Sequence, residues 1–152
     1  MTPAVKVFEA DLTPALIDEL IALSADWESE NSCRGYRKNT EEDIHGRRVF
    51  LAKDGVRTAG YLFGKLEKSE NMSSVMPEGT PFFEVEEIYV VPDLRSKGIG
   101  SELFGYAENA VRPDAEYILL STATKNWRSI LHFYIDELCM DFWSARLFKK
   151  LS

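Results

Sequence analysis

The chain has few of the residues that bind metals or form disulfides. It contains two cysteines, Cys33 and Cys139, and two histidines, His45 and His132. The cysteines lie far apart without metal-binding spacing, which is typical of reduced thiols in a cytosolic protein. Neither histidine has a visible catalytic partner in the sequence, so we interpret both as surface or packing residues. We therefore expect neither a disulfide framework nor a metal site.

Long apolar runs and an excess of basic charge are also missing. No segment reaches the roughly 18 apolar residues of a membrane span, and Met1–Val5 has no basic stretch followed by an apolar one. The net charge of −7 disfavours nucleic acid and anionic membranes as partners and fits a cationic substrate. We expect a cytoplasmic protein without a nucleic-acid or membrane partner.

The hydrophobic pattern predicts strands and helices around one core. With 152 residues, 45% of them apolar, the chain is expected to form a single globular domain, 1–152. The predicted order is that of a mixed sheet with helices packed on it, an α/β or α+β fold. Strands are predicted at Val5–Glu9, Val49–Ala52, Ala59–Gly64, Phe82–Val91, Tyr117–Thr122 and Phe142–Phe148. Helices are predicted at 14–27, 40–47, 98–111 and 127–138.

A basic, glycine-bearing loop, Arg95–Gly100, separates the strand Phe82–Val91 from the helix that follows it. Unpaired N–H groups and the helix dipole favour an anion at a helix start, and glycine lets a ligand approach the main chain. The spacing matches neither a Walker P-loop nor the dinucleotide fingerprint. The loop is therefore interpreted as a phosphate-binding loop, and a tight turn with a flexible helix start is the alternative.

Three carboxylates, Glu84, Glu86 and Glu87, crowd the strand before this loop. Burying each charge is costly unless it is paired or reaches water. In an ideal strand Glu84 and Glu86 share one face and Glu87 takes the other, although a bulge could reverse this. The cluster would attract a cationic amine, and the alternative is a polar strand that faces solvent or pairs with Lys and Arg.

Taken together, the stretch from about Glu84 to Phe142 resembles the core of the GNAT superfamily of N-acetyltransferases, which use acetyl-CoA. The loop of that superfamily reads Arg/Gln-x-x-Gly-x-Gly/Ala, and Arg95–Gly100 matches each fixed position. Ile88–Pro92 resembles the preceding strand and proline, and Asn126 with Phe133-Tyr134 resembles the Asn and Tyr of the later helix. The resemblance implies a mixed, mostly antiparallel sheet of about six to seven strands flanked by about four helices.

The resemblance also implies how acetyl-CoA is held. The main chain of Ile88–Val90 would bind the pantetheine arm where the two central strands splay apart. The N–H groups of Lys97–Ser101 would bind the pyrophosphate, with charge from Arg95 or Lys97. The implied cofactor-binding residues are Ile88, Tyr89, Val90, Arg95, Ser96, Lys97, Gly98, Ile99, Gly100, Ser101, Asn126 and Tyr134.

Catalytic roles follow from the same resemblance. Glu86 occupies the position of the base in polyamine-acetylating relatives, Glu84 is the second choice, and Tyr134 is the candidate acid for the leaving thiolate. The sequence departs from the family in two places. Tyr134 lies one residue further from Asn126 than usual, so Phe133 takes the expected position, and Cys139 replaces the glycine that ends the helix. Tyr134 could instead be a core residue, and Asn126 a helix cap.

The implied function is transfer of an acetyl group from acetyl-CoA to a primary amine of a small, cationic acceptor by direct attack. Polyamines, aminoglycosides and amino-acid amines are all possible acceptors, and protein amino groups remain an alternative. The acceptor pocket would be built from the loops Glu28–Asn39 and Glu67–Pro81, which carry no readable motif. The alternatives are a module that binds acetyl-CoA without turnover and an enzyme for another acyl group. Many relatives have two further C-terminal strands, so the sheet is either shorter here or completed by a second subunit in a homodimer.

Overall fold

A computed structural model describes residues 4–152 of the protein. Residues 1–3, which belong to the N-terminal stretch interpreted above as free of a targeting signal, lie outside the described residues. Five strands form one sheet in the order β1-β2-β3-β4-β5. Neighbours from β1 to β4 pair antiparallel, and β4 pairs with β5 in parallel. The strands are β1 (Lys6–Ala10), β2 (Arg48–Asp54), β3 (Arg57–Lys68), β4 (Pro81–Val90) and β5 (Tyr117–Leu119).

Four α-helices accompany the sheet: α1 (Pro14–Glu30), α2 (Glu41–Ile44), α3 (Ile99–Val111) and α4 (Trp127–Leu131). A 3₁₀ turn, Pro92–Leu94, follows β4, and a π-helical segment, His132–Glu137, continues α4. The Thr13 hydroxyl caps α1 by accepting from the N–H of Leu16 at 3.1 Å, and proline occupies the first turn as its sequence predicts. None of the helices within residues 4–152 has the length and apolar character of a membrane span.

Alternation along the strands divides the core between the two faces of the sheet. Phe50 and Ala52 of β2 pack on the α3 side, where Leu103 and Phe104 of α3 meet them. The intervening residues of β2, Val49 and Leu51, pack on the side covered by α1 and α2. Because every second residue of a strand points to the same face, one short apolar run supplies both halves of the core.

The predicted fold class is confirmed, with five strands where six to seven were expected. The predicted strand Phe142–Phe148 is wrong, because residues 138–152 contain no helix or strand. A strand needs a neighbour to pair with, and the edge strand β5 is only three residues long. The strand predicted at Tyr117–Thr122 ends earlier, at Leu119, and it is not fully buried, since Tyr117 is 41% exposed.

Candidate functional site

The sheet opens between β4 and β5. Their parallel pairing covers three residue pairs and ends where Glu84 meets Leu119. β4 continues to Val90, so its edge from Val85 onward faces a gap where β5 has already ended. A main-chain edge without a neighbouring strand can accept hydrogen bonds from an extended ligand. Ile88–Val90, which were predicted to bind the pantetheine arm, lie on this open part.

The loop between β4 and α3 leaves a helix start accessible. Gly98 has a φ of +84°, which is the left-handed region that favours glycine, and α3 begins directly after it. The first amide to donate back into the helix is that of Glu102, to the Gly98 carbonyl at 3.1 Å. The N–H groups before it are left for an anion. Buried Ile99 anchors the loop to the core, and Lys97 is exposed.

The Arg95 side chain is bound elsewhere than expected. Its guanidinium donates to both carboxylate oxygens of Glu30, at 2.7 and 3.0 Å, and to the Val90 carbonyl at 2.8 Å. It also lies over the Tyr89 ring, 5.3 Å from the centroid. Arg95 therefore ties the phosphate loop to the end of α1, and Lys97 is the other basic residue of this loop.

The carboxylate cluster is reshaped by a β-bulge in the pairing of β3 with β4. Gly64 pairs with Val85, and the preceding residue of β3, Phe63, pairs with Glu87. Glu86 is therefore the extra residue of the bulge. A Cβ atom at Gly64 would come within 2.1 Å of the Glu84 carbonyl oxygen, so only glycine fits there.

The bulge reverses the expected orientation of Glu87. The ideal strand placed Glu87 on the face opposite Glu84 and Glu86, and this expectation is wrong. Because one residue is added, Glu87 lies on the α1 side of the sheet, opposite Phe63 and beside Tyr61. The signal was present in the sequence, since a glycine such as Gly64 within a strand often marks a bulge or a close backbone approach.

Glu86 and Glu84 have different surroundings. Glu86 forms an ion pair with the Arg47 guanidinium through Nε, with a second contact of 3.3 Å between Nη2 and Oε2. Glu84 is half-buried, and burial together with the Glu67 carboxylate raises its pKa above the usual value. An arginine partner stabilises the ionised carboxylate, whereas burial destabilises it.

Glu87 was not among the residues favoured from the sequence, yet it has the most elaborate hydrogen bonding of the three. Its Oε1 accepts from the Tyr61 hydroxyl at 2.8 Å, the Asn39 side-chain amide at 2.9 Å and the Tyr36 hydroxyl at 3.1 Å. Burial raises the pKa of Glu87 despite these donors. No local sequence pattern links Glu87 to residues so far away in the chain.

The loop between α1 and α2 is fixed by main-chain contacts. It pairs with the segment after β5 through the bridge between Cys33 and Thr124, and the Arg34 N–H donates to the Ala123 carbonyl at 2.9 Å. This loop forms one wall of a cleft of about 290 Å³, which we call the carboxylate cleft. The cleft is lined by Gly35, Tyr36, Arg37, Asn39, Asp43, Phe63, Glu86 and Glu87.

A π-helical segment places Tyr134 in the interior. Tyr134 is only 9% exposed, whereas Phe133 is half-buried and its ring lies 3.4 Å from where a Cβ atom of Gly100 would be. The bond from the Leu138 N–H to the Phe133 carbonyl spans five residues, as in a π-helix. Such a turn absorbs one additional residue, which is the departure from family spacing noted above.

The Tyr134 phenol is available for chemistry. It makes no hydrogen bond within residues 4–152. Every fully buried polar side-chain atom described there has a hydrogen-bond partner, so the phenol oxygen is not fully buried and keeps some accessible surface. Burial raises the pKa of Tyr134 to about 12. The phenol is thus protonated at neutral pH and can act as a donor.

The remaining predicted residues have simpler surroundings. Asn126 directly precedes α4, and its side chain makes no capping hydrogen bond. Both histidines are exposed as predicted, and His132 forms a surface contact of 2.7 Å with Asp136. Both cysteines are free thiols. Among residues 4–152 no group of acidic, histidine and cysteine side chains could hold a metal ion.

This geometry fits acetyl-CoA at two points. The open edge of β4 offers main-chain groups to a pantetheine arm, and the start of α3 offers N–H groups to a pyrophosphate. A Cβ atom added at Gly98 would meet nothing within 4 Å, so the helix start is open to a ligand. The carboxylates and Tyr134 supply groups that accept and donate protons.

Comparison with protein-family models identifies the same family as the sequence resemblance. The model of the Acetyltransferase (GNAT) family matches residues 16–135. No protein of curated function matches the chain in sequence.

Solved structures share the fold at low identity. A transcriptional regulator from Bacillus halodurans is 18% identical, with a TM-score of 0.70 over 97% of this chain and 100% of that one. An aminoglycoside acetyltransferase from an uncultured soil sample, in complex with sisomicin, is 15% identical, with a TM-score of 0.68 over 97% of each chain. Aminoglycoside N-acetyltransferase AAC(6')-Iy in complex with CoA is 12% identical, with a TM-score of 0.65 over 97% and 99%. With the family match covering most of its length, the chain belongs to the GNAT family of acetyltransferases.

Proposed function

We propose that residues 1–152 act as one N-acetyltransferase domain, which moves an acetyl group from acetyl-CoA to a primary amine of a small, cationic acceptor. The observation that carries this proposal is the bulged part of β4. It has an open main-chain edge and also bears three carboxylates, Glu84, Glu86 and Glu87. A main-chain binding edge and proton-accepting groups thus occur within seven residues, Glu84–Val90.

The co-substrate would be held mainly by the main chain. Backbone groups of Ile88, Tyr89 and Val90 would bind the pantetheine arm. The N–H groups from Lys97 to Ser101 would bind the pyrophosphate, supported by the positive end of the α3 dipole and by the Lys97 ammonium. Ser96, Gly98, Ile99 and Gly100 shape this loop, and Asn126 would contact the bound molecule from the start of α4. The Arg95 guanidinium would contribute to phosphate binding only after leaving Glu30.

Acetyl transfer requires a neutral amine and a proton for the departing sulfur. Bound acetyl-CoA supplies the activated acetyl group. A β4 carboxylate takes the ammonium proton, and the sequence favours Glu86 first and Glu84 second for that role. The Tyr134 phenol, protonated and without a hydrogen-bond partner among residues 4–152, donates to the sulfur.

The charge of the protein and the names of two structural neighbours both favour a cationic acceptor. The net charge is −7, and carboxylates line the cleft beside β4. Two of the neighbours described above are named as aminoglycoside acetyltransferases, one of them in complex with sisomicin. We therefore place aminoglycosides and polyamines first among acceptors to test.

The direct test is release of free thiol from acetyl-CoA in the presence of sisomicin, spermidine or an amino-acid amide. At least one amine is expected to stimulate release. Glu86→Gln and Tyr134→Phe, assayed beside the unaltered protein, are both expected to lower kcat, and Tyr134→Phe should do so by about 10²–10⁴-fold because it removes a general acid.

The second candidate is a module that binds acetyl-CoA without turnover. The ion pair between Arg47 and Glu86 favours it, because a carboxylate that already contacts a guanidinium is less free to contact an acceptor amine. Calorimetric binding of coenzyme A without thiol release from any of the three amines would support this module and contradict the enzyme. No binding of coenzyme A would contradict both.

We also propose a homodimer in which the C-terminal tail, residues 141–152, packs on a second copy. Its apolar side chains are largely exposed, with Phe142 at 58%, Leu147 at 94% and Phe148 at 75%. The edge strand β5 lacks a partner strand on its outer side in the five-stranded sheet. Cytoplasmic location stays a prediction of the sequence.

A further inference from the structure

We propose that Glu87 is the residue that binds the ammonium of the acceptor and takes its proton. The inference rests on the proposed function and goes further, because it selects one carboxylate that the sequence did not favour. It follows from how each acidic side chain of the carboxylate cleft is neutralised.

Two of the three acidic side chains that line the cleft already have an arginine partner. Glu86 is paired with Arg47, and Asp43 lies 3.5 Å from the Arg37 guanidinium. Glu87 makes hydrogen bonds only with neutral groups within the described part of the chain. A cation that enters the cleft therefore gains the most from Glu87, whose charge no residue there compensates.

The hydrogen bonds also hold Glu87 in one orientation. All three donors, from Tyr36, Asn39 and Tyr61, reach the same oxygen, Oε1. Oε2 makes no hydrogen bond with residues 4–152. Because every fully buried polar side-chain atom there has a hydrogen-bond partner, Oε2 is not fully buried and keeps accessible surface. One oxygen is thus fixed by the protein and the other is free for a ligand, as positioned proton acceptors require.

Burial gives Glu87 a suitable proton affinity. The side chain is largely buried, and burial raises its pKa above the usual value while its three donors lower it. A base whose pKa is closer to neutral takes the proton of an ammonium more readily than an ordinary carboxylate.

The proposed step balances as follows. The ammonium R–NH₃⁺ gives one proton to Oε2 of Glu87, and the amine nitrogen then forms a bond to the acetyl carbon. The carbon–sulfur bond breaks, and the sulfur leaves with the electron pair and takes the Tyr134 proton. The second nitrogen proton goes to solvent, Tyr134 regains a proton from solvent, and Glu87 releases its own. The net products are the amide, free coenzyme A thiol and one proton.

The dependence of kcat on pH follows from the groups around Glu87. Glu87 must be ionised, so kcat falls on the acidic side as the carboxylate becomes protonated. Tyr36 and Tyr61 stabilise the ionised form through their hydrogen bonds, and the Asp43 carboxylate destabilises it. The other charged side chains that line the cleft are Arg37 and Glu86.

The test compares Glu87→Gln with two other variants in the thiol-release assay with sisomicin and spermidine. Glu87→Gln keeps an oxygen for the three donors and is expected to lower kcat by about 10²–10⁴-fold. The KM for acetyl-CoA and the affinity for coenzyme A should stay unchanged. Glu86→Gln is expected to lower kcat less. Glu9→Gln, which removes an exposed, arginine-paired carboxylate of β1 outside the cleft, is the matched control and should keep full activity.

A second variant separates the proposed role from a purely structural one. Tyr36→Phe removes one donor that stabilises the ionised carboxylate, so the acidic limb of the kcat profile should move to higher pH. An unshifted limb, or a Glu87→Gln variant with kcat within about threefold of the unaltered protein, overturns the inference while the proposed function stands. Failure of every amine to release thiol, despite coenzyme A binding, overturns the proposed function and this inference with it.

Discussion

Among residues 4–152, four non-glycine residues have positive φ angles, and one of them, Cys139, stands where the family resemblance implies a glycine. Asn31 and Asn71 belong to a residue type that tolerates this conformation, whereas Cys139, at φ +60°, does not. The left-handed conformation costs an L-residue about 1–2 kcal/mol. The Cys139 side chain is exposed, so its removal sacrifices little packing.

We expect Cys139→Gly to stabilise the protein by up to about 1 kcal/mol, after the greater unfolded-state entropy of glycine is subtracted. For a chain of this size, that raises Tm by about 2–4 °C in a thermal melt. Cys139→Ala is the control, because it removes the thiol and keeps the strained Cβ atom. Equal Tm values for the two variants would show that backbone strain at this position is unimportant.

The second prediction at this scale concerns stability and pH at Glu87. Burial raises its folded-state pKa above the ordinary value of 4.5. The stability that it contributes is present below the unfolded pKa and is lost as the pH rises through the folded one. Glutamine does not titrate, so the Tm of Glu87→Gln relative to that of the unaltered protein should rise as the pH is raised above 4.5, the ordinary pKa of the carboxyl group. A constant difference across that range would contradict a raised pKa.

At the scale of elements, a substitution at the start of α3 is the most direct test of the phosphate-binding loop. Gly98→Ala places a side chain at φ +84°, and relief of the resulting strain moves the N–H groups of the loop. We expect at least about tenfold weaker binding of coenzyme A by calorimetry, equivalent to about 1.4 kcal/mol.

The matched control lies within the same helix. Gly105 has open space around its Cβ position and an ordinary φ. Gly105→Ala should stabilise α3 by about 0.5–1 kcal/mol and leave coenzyme A binding unchanged. If both alanine variants bind coenzyme A as the unaltered protein does, the helix start is not the pyrophosphate site.

Elements that carry their own periodicity could be predicted from the sequence, and those that depend on partners could not. The Leu103, Phe104, Ala107 and Val111 spacing predicted α3 to within one residue, and the loop Arg95–Gly100 lies before it as predicted. The tail 142–148 has strand-like composition, and its lack of a sheet neighbour is visible only in three dimensions.

The carboxylate cleft shows the same limit at single-residue resolution. Glu86 and Glu84 were accessible to sequence reasoning through their position in the strand. Glu87 was not favoured from the sequence, because one bulge changes which face of the sheet the following residues occupy. Its hydrogen-bond donors also come from residues 36, 39 and 61, which are far away in the chain. Tyr134 faces inward for a related reason, since one π-helical turn shifts the helix by a residue.

At the scale of the whole molecule, the exposed apolar tail predicts self-association. Sedimentation should give a mass of about twice 17.3 kDa. Leu147→Asp should return the protein to the monomer mass, because a buried carboxylate at an apolar contact is costly. Lys150→Asp, which changes charge on the same tail without removing apolar surface, should do so less. A monomer mass for the unaltered protein would contradict the dimer.

The strand order has a consequence for how the chain reaches and leaves its folded state. β2 and β3 form a hairpin joined by a short turn, whereas β5 joins β4 only after the crossover through α3. Nonlocal pairings form late, and short ones open easily. The three-residue seam between β4 and β5 should therefore exchange its amide hydrogens sooner than the hairpin of β2 and β3. A ligand that contacts both β4 and β5 would complete this part of the sheet and slow the exchange of its amide hydrogens.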